Sequence, residues 1–214
     1  MPFGKTPEPT PDRVAVALAK IGLALRTHAW DEAGRRGLTP TQGQVLTIVR
    51  ARGALRIGAL AAELGVTAPT VSDAVAALEA KRLVTRRADP ADRRATEVRL
   101  TPAGHDVAGA AAAWPEAIAI AVADLDAAEQ AVLLKGLLGV IRALQRSGRI
   151  PVARMCVTCR YFAPDAHPGS AHPHHCRFVD APLADGSLRV DCDDFEPAEE
   201  EQPQDAWTVL AQIG

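Results

Sequence analysis

The chain has 214 residues, of which 48% are hydrophobic and 23% charged, with a formal net charge of −2. This is material for one or two domains with real apolar cores, and it excludes a disordered chain, a collagen and a disulfide-dense mini-protein. With 3 Trp, 1 Tyr and 4 Phe the cores must rest on Ala, Leu, Val and Ile. The most apolar stretch, 108–123, is mostly alanine and is interrupted by Trp114, Pro115 and Glu116. It falls short of the roughly 18 apolar residues that a membrane span needs, so no membrane partner is expected. The N-terminus, MPFGKTPEPTPDR, has no apolar run after its charge. No secretory signal is therefore read there, and a cytoplasmic protein is expected.

The charge is divided unevenly. Residues 1–155 carry 21 Lys and Arg against 15 Asp and Glu, whereas residues 156–214 carry 3 against 11. Basic side chains are densest over 50–100, with 10 against 6 acidic. The overall balance speaks against a polyanion partner, but this distribution speaks for one, with the acidic end as a separate module.

Residues 1–11 hold four prolines and read as a disordered lead-in. Val14, Leu18, Ile21 and Leu25 then form the stripe of an amphipathic helix ending near Gly34 or Gly37. A second helix starts at Thr39-Pro40, a cap followed by a first-turn proline, buries Val45, Leu46, Ile48 and Val49, and stops at Gly53. A short helix follows with Ile57, Leu60 and Leu64 on one face, closed by Gly65. Thr67 caps the next, whose inner stripe is Val71, Val75, Leu78 and Leu83. Two short helices around a tight glycine turn have the form of a helix-turn-helix. The pattern then changes to strand, turn, strand: VTRRADPADRRATEVRLT is a hairpin with arginines at stem and tip, and Thr96, Val98 and Leu100 alternate on the return. Thr101-Pro102 opens a long Ala-rich helix that Pro115 should kink or break. Asp126 and Glu129 form a capping pair for a last helix with a wide stripe of Leu133, Leu137, Val140, Ile141 and Leu144. The elements expected are mainly α (α+β): a helix-turn-helix and an arginine hairpin between long apolar-striped helices, with a small irregular C-terminal module. The divisions are 12–148, 152–197 for the cysteine module and 198–214 as an acidic tail.

Three features point to DNA. The second helix of the pair starts with compact polar residues (Thr67, Thr70, Ser72) and should present its N-terminal amides to phosphates or base edges. The hairpin carries Arg86, Arg87, Arg93 and Arg94, and guanidinium groups on a ribbon suit a narrow minor groove. The flanking helices are more apolar than so small a core requires and suit a two-fold partner. Singly, each has a plainer reading, because glycine-joined helix pairs are common and arginines on a hairpin are usually solvated.

The order and wording of 13–147 resemble the MarR family of winged-helix transcriptional regulators. The resemblance is carried by LTPTQGQVL, IGALAAELGV, TAPTVSDAVAALEAKRLV and RRADPADRRATEVRLTPAGHD. It implies a winged helix-turn-helix with long dimerisation helices, acting as a homodimer on double-stranded DNA at a pseudo-palindromic operator, with repression as the expected output. It places the wing Asp-x-Arg on Asp92 and Arg94, and helix contacts on Thr67, Ala68, Thr70, Ser72 and Asp73, with Ala76 on the same face. Asp73 departs from the basic residue many members carry; facing DNA it would repel phosphate, and so would instead accept from a cytosine amine or orient a neighbour. The resemblance also implies a small-molecule effector in the dimer cleft, where His28, Trp30 and Trp114 are candidates, each also explicable as packing.

All four cysteines lie in the acidic part, spaced Cys156-x2-Cys159-x16-Cys176-x15-Cys192. A cytosolic chain should not keep them as disulfides, and a CxxC pair with two further thiolates can close a tetrahedron, so a metal is expected. The segment is too polar to fold on apolar burial alone, and metal would supply folding free energy. Zinc is slightly favoured on general frequency. Against it, CVTCRYF, the lone CRF and DCDDF resemble the high-potential iron–sulfur proteins, in which aromatics shield a 4Fe–4S cluster. His167, His172, His174 and His175 read as a solvated cluster and the terminal acidic residues as a solvated run. No P-loop, G-x-S-x-G, H-E-x-x-H or Gly-rich dinucleotide turn is present, so no enzyme is expected. The alternative function is an iron–sulfur redox or electron-transfer protein that uses the winged helix for docking.

Overall fold

The computed structural model describes residues 9–88, 96–111, 114–198 and 206–212. The chain forms two compact units, Met1–Ile118 and Ala119–Gly214. The described residues are mostly helical, with two small antiparallel sheets. No helix among the described residues is long and apolar enough to cross a membrane.

The first unit opens with α1 (Thr10–Arg35), which starts inside the stretch read as a lead-in, with Pro11 in its first turn. Proline is tolerated there because the first-turn N–H groups have no partner within the helix. α2 (Pro40–Arg52) begins with a full capping box: Gln42 N–H donates to the Thr39 hydroxyl and Thr39 N–H to the Gln42 side chain, each at 3.3 Å. Gly53, at φ 78°, ends it as expected. β1 (Leu55–Arg56) follows, too short to show a period in the sequence. α3 (Ile57–Leu64) closes on Gly65 in the left-handed conformation, and α4 (Ala68–Ala80) is capped by Thr67.

β2 (Val84–Ala88) and β3 (Thr96–Leu100) form the hairpin stem, with β1 on the far edge in the order β1-β3-β2. Val84 lies opposite Leu100, Arg87 opposite Glu97, and Leu55 opposite Val98. Of the alternating residues on β3, Val98 is buried but Thr96 is exposed. The core joins α2, α3, α4 and the sheet through Val45, Leu46, Leu60, Val71, Val75, Leu78, Val84 and Val98. α5 (Pro102–Ala111) and α6 (Trp114–Ala123) occupy the Ala-rich stretch. Pro115, expected to kink or break one long helix, is the second residue of α6, where a proline fits.

In the second unit α7 (Ala127–Arg146) has the expected box, with Glu129 N–H donating to Asp126 at 2.8 Å and Asp126 N–H to Glu129 at 2.9 Å. Its apolar stripe is divided. Leu134, Leu138 and Ile141 pack into a core with Met155, Val157, Phe162, Leu188 and Leu210, while Val132, Leu133 and Val140 stay exposed. β4 (Phe162–Ala163), β5 (His174–Cys176) and β6 (Ala181–Leu183) make an antiparallel sheet in that order. α8 (Ala206–Gln212) lies where the sequence suggested only an acidic tail, and its Leu210 is fully buried.

Candidate nucleic-acid interface and cysteine cavity

The helix-turn-helix is set by its capping bonds. Val66 N–H donates to Ala61 O at 3.1 Å and Gly65 N–H to Ala62 O at 3.3 Å, satisfying the last carbonyls of α3. At the start of α4, Thr70 N–H donates to the Thr67 hydroxyl at 3.4 Å, and the two hydroxyls are 2.8 Å apart. This revises one expectation. Pro69 has no N–H and Thr70 N–H is already engaged, so this helix start offers few amides to a phosphate. What it presents instead is side chains: Thr67, Ala68, Thr70, Asp73 and Ala76 are exposed, and Ser72 is half-buried.

The sites differ in what holds them. Arg87 is exposed on β2, but Arg86 is half-buried and turned back to α4. Its Nη2 donates to the Ser72 carbonyl at 3.2 Å, and its Nε lies 3.4 Å from the Glu79 carboxylate without forming a hydrogen bond. Arg86 therefore ties the hairpin stem to α4. Asp92, Arg93 and Arg94 lie outside the described residues. A second tie runs from the end of α4: Lys81 Nζ donates to the Gly37 carbonyl and, at 3.0 Å, to Gln42 Oε1. Gln42 thus serves both the cap of α2 and the placement of α4. Neither bond was visible in the sequence, since each joins residues in different elements.

At the base of the hairpin the Thr101 hydroxyl donates to the Arg82 carbonyl at 2.8 Å and accepts from Gly104 N–H at 3.0 Å. Gly104 packs directly on the Leu83 carbonyl, where a Cβ would stand 1.9 Å from the oxygen. A glycine is required by this close approach alone. Of the effector candidates, His28 and Trp30 are exposed on α1, and the side chain of Trp114 is outside the described set.

The cysteine module brings its four thiols to a single cavity of about 40 Å³, walled also by Tyr161, Phe162, Phe178, Leu183 and Arg189. Cys156 and Cys159 sit on one 3-10 turn, with Cys159 N–H donating to Cys156 O at 2.9 Å. Cys176 ends β5, opposite Phe162 on one side and Ala181 on the other. Cys192 is held by its N–H to Arg154 O at 3.0 Å. No disulfide joins the four. Burial pushes the Cys156 thiol pKa up; the Arg189 N–H pulls part of that back, and the other three thiols push it up further. Among the described residues, no group of three or more His, Cys, Asp or Glu is placed to hold one metal ion.

The acidic and histidine residues around this module are not simply solvated. Arg154 pairs with Asp191 and Asp193, both at 2.9 Å, and Glu196 accepts from Arg160 at 3.2 Å and from the Tyr161 hydroxyl at 2.7 Å. His174 is fully buried; its Nδ1 accepts from Asp165 N–H at 3.2 Å and its Nε2 lies 2.7 Å from Asp185. His175 bridges His167 and Asp180 at 3.2 and 3.0 Å. Charged residues 37 and 39 positions apart can meet in this way only after the loop has folded, which is why composition read them as a solvated run.

Residues 36–95 match the sequence model of the MarR family. The chain is similar to the crystal structure of the Staphylococcus aureus MepR–DNA complex, with 25% identity over 61% of this chain and 97% of that one, and a TM-score of 0.53. It is similar in fold to a crystal structure of a MarR family transcription regulator, with 20% identity, 65% and 95% coverage and a TM-score of 0.56. No curated protein sequence matches the chain.

Proposed function

We propose that this chain, which carries a MarR-type winged helix, is a DNA-binding transcription regulator that acts as a homodimer on a pseudo-palindromic operator, as a cytoplasmic repressor. The observation that carries the reading is the joining, in one compact unit, of a helix-turn-helix with an exposed polar face to an arginine hairpin. The likeness to a structure solved with DNA supports it. Homodimerisation is supported by apolar side chains left exposed on both long helices: Val14, Val16, Ile21 and Leu23 on α1, and Val132, Leu133 and Val140 on α7. Thr67, Ala68, Thr70, Ser72 and Asp73 are the proposed groove-facing residues of α4, with Arg87, Arg93 and Arg94 from the hairpin. Arg86 and Asp92 act by holding the wing in shape. An effector would enter at the dimer cleft.

The four cysteines act in this reading as ligands of a metal centre. Loading or losing it alters the setting of α7, because Leu138 shares a core with Met155 and Val157. The redox-carrier reading rests on the cysteines alone and leaves the winged helix with no task beyond docking.

The test is selection of a DNA site from a random duplex pool by the full chain, followed by gel shift at fixed salt. Arg94→Ala should weaken binding to the selected site by about 1–3 kcal/mol. Failure to enrich any site would remove the regulator reading, and wild-type affinity in the variant would remove the wing contact.

A further inference from the structure

Four sulfurs around one zinc at about 2.3 Å stand only about 3.8 Å from one another, and the ion fills the space between them. The module offers more room than one ion needs: its four cysteines line a common cavity of about 40 Å³. Four cysteines around such a space match a centre with several metal atoms, each bound to its own cysteine. Thiolate-only ligation, with no histidine in the wall, belongs to the same soft-ligand chemistry.

The rest of the wall agrees. Phe162 is buried against the module core, and the Tyr161 and Phe178 rings lie 5.2 Å apart between centroids, so aromatic surface lines the cavity beside the cysteines. Arg189 donates to two of the sulfurs: its backbone N–H to Cys156 Sγ at 3.2 Å and its Nη1 to Cys192 Sγ at 3.5 Å. Asp194 also lines the cavity. Hydrogen bonds to sulfur, net charge and exposure to solvent are the levers that set the potential of an iron–sulfur centre.

We propose that this cavity holds a 4Fe–4S cluster bound by Cys156, Cys159, Cys176 and Cys192, with Arg189 as its cationic cap. The proposal rests on the reading of the four cysteines as metal ligands and chooses the metal class. A cation bonded to two ligating sulfurs favours the more negative, reduced cluster, so Arg189 raises the potential.

The experiment uses the full chain, purified without oxygen and offered ferrous iron with sulfide, or zinc alone. The expected result is a brown protein with broad visible charge-transfer absorption and about four iron and four acid-labile sulfide per chain. Cys176→Ser and Cys192→Ser should each lower both contents. Tight binding of one zinc per chain with no stable iron and sulfide would overturn the cluster and keep the metal reading. Uptake of neither, or the same uptake by a Cys156→Ser, Cys159→Ser double variant, would overturn both. Arg189→Met should keep the visible band and shift the oxidised-to-reduced ratio at fixed potential at least tenfold toward oxidised, about 59 mV for one electron. An unmoved potential would overturn the cap.

Discussion

Replacing Gly104 by alanine should destabilise the winged-helix unit, although alanine is the better helix former. The added Cβ would lie 1.9 Å from the Leu83 carbonyl oxygen, and real contacts of this kind are not closer than 3.0 Å. Relief therefore needs a backbone shift of about 1.1 Å. The Leu83 oxygen is not free to move, since it accepts from Thr101 N–H at 3.0 Å and from the Thr101 hydroxyl at 3.2 Å. Overpacking costs about 1–3 kcal/mol and loss of one of these bonds about 1 kcal/mol. The gain in helix propensity returns about 1 kcal/mol, leaving a net loss of about 1–3 kcal/mol. Urea unfolding followed by far-ultraviolet circular dichroism should show a lower midpoint with an unchanged slope. Gly43→Ala is the control: it lies within α2 with nothing inside 4 Å of the new Cβ, and should stabilise by up to about 1 kcal/mol. A Gly104→Ala protein as stable as the parent would refute the close-approach argument.

Arg86→Met removes the bond to the Ser72 carbonyl and should cost roughly 0.5–1.5 kcal/mol of stability, the half-exposed Glu79 pair adding little. Operator affinity should fall while its salt dependence holds, and a slope reduced by about one would instead make Arg86 a phosphate contact. Gly139→Ala would place a Cβ 2.6 Å from the Trp207 ring. It should displace α8, seen as a red shift in the Trp207 contribution to fluorescence, measured against a Trp207→Phe reference. An unchanged spectrum would mean that the ring can move aside without leaving α7.

The parts legible in the sequence were those fixed by bonds between near neighbours. Thr39, Gly65, Thr67 and Asp126 with Glu129 each act within three or four residues, so a short window suffices; the return bond from Thr39 N–H to Gln42 was not read there. The inner faces of α2 and α4 followed from period alone. What escaped needed a partner far along the chain: β1 is strand only because β3 lies beside it, and Arg86 looks like any hairpin arginine until Ser72 is opposite. Leu138 was missed because the stripe on α7 was read as one face, when the cysteine module covers one edge and leaves the other bare. α8 was hidden by its acidic approach; its place depends on the missing side chain of Gly139. The cysteines and their aromatics could be paired by spacing, but the Arg189 N–H reaching Cys156 depends on the path of a loop.

The two cores differ in when they can close during synthesis. Among the described residues, every buried member of the winged-helix core lies between Ala33 and Ala108, so these can all be in place before the first cysteine is made. The second core runs from Leu138 to Leu210 and therefore waits for α8. At about 5–20 residues per second, the roughly fifty residues from Cys156 to Leu210 take about 3–10 s to appear. For that time the nascent thiols emerge one after another beside a folded neighbour but without their own apolar cover. A ligand present in those seconds meets an open module, whereas one arriving later meets a formed cavity lined by Phe178 and Val179 among others.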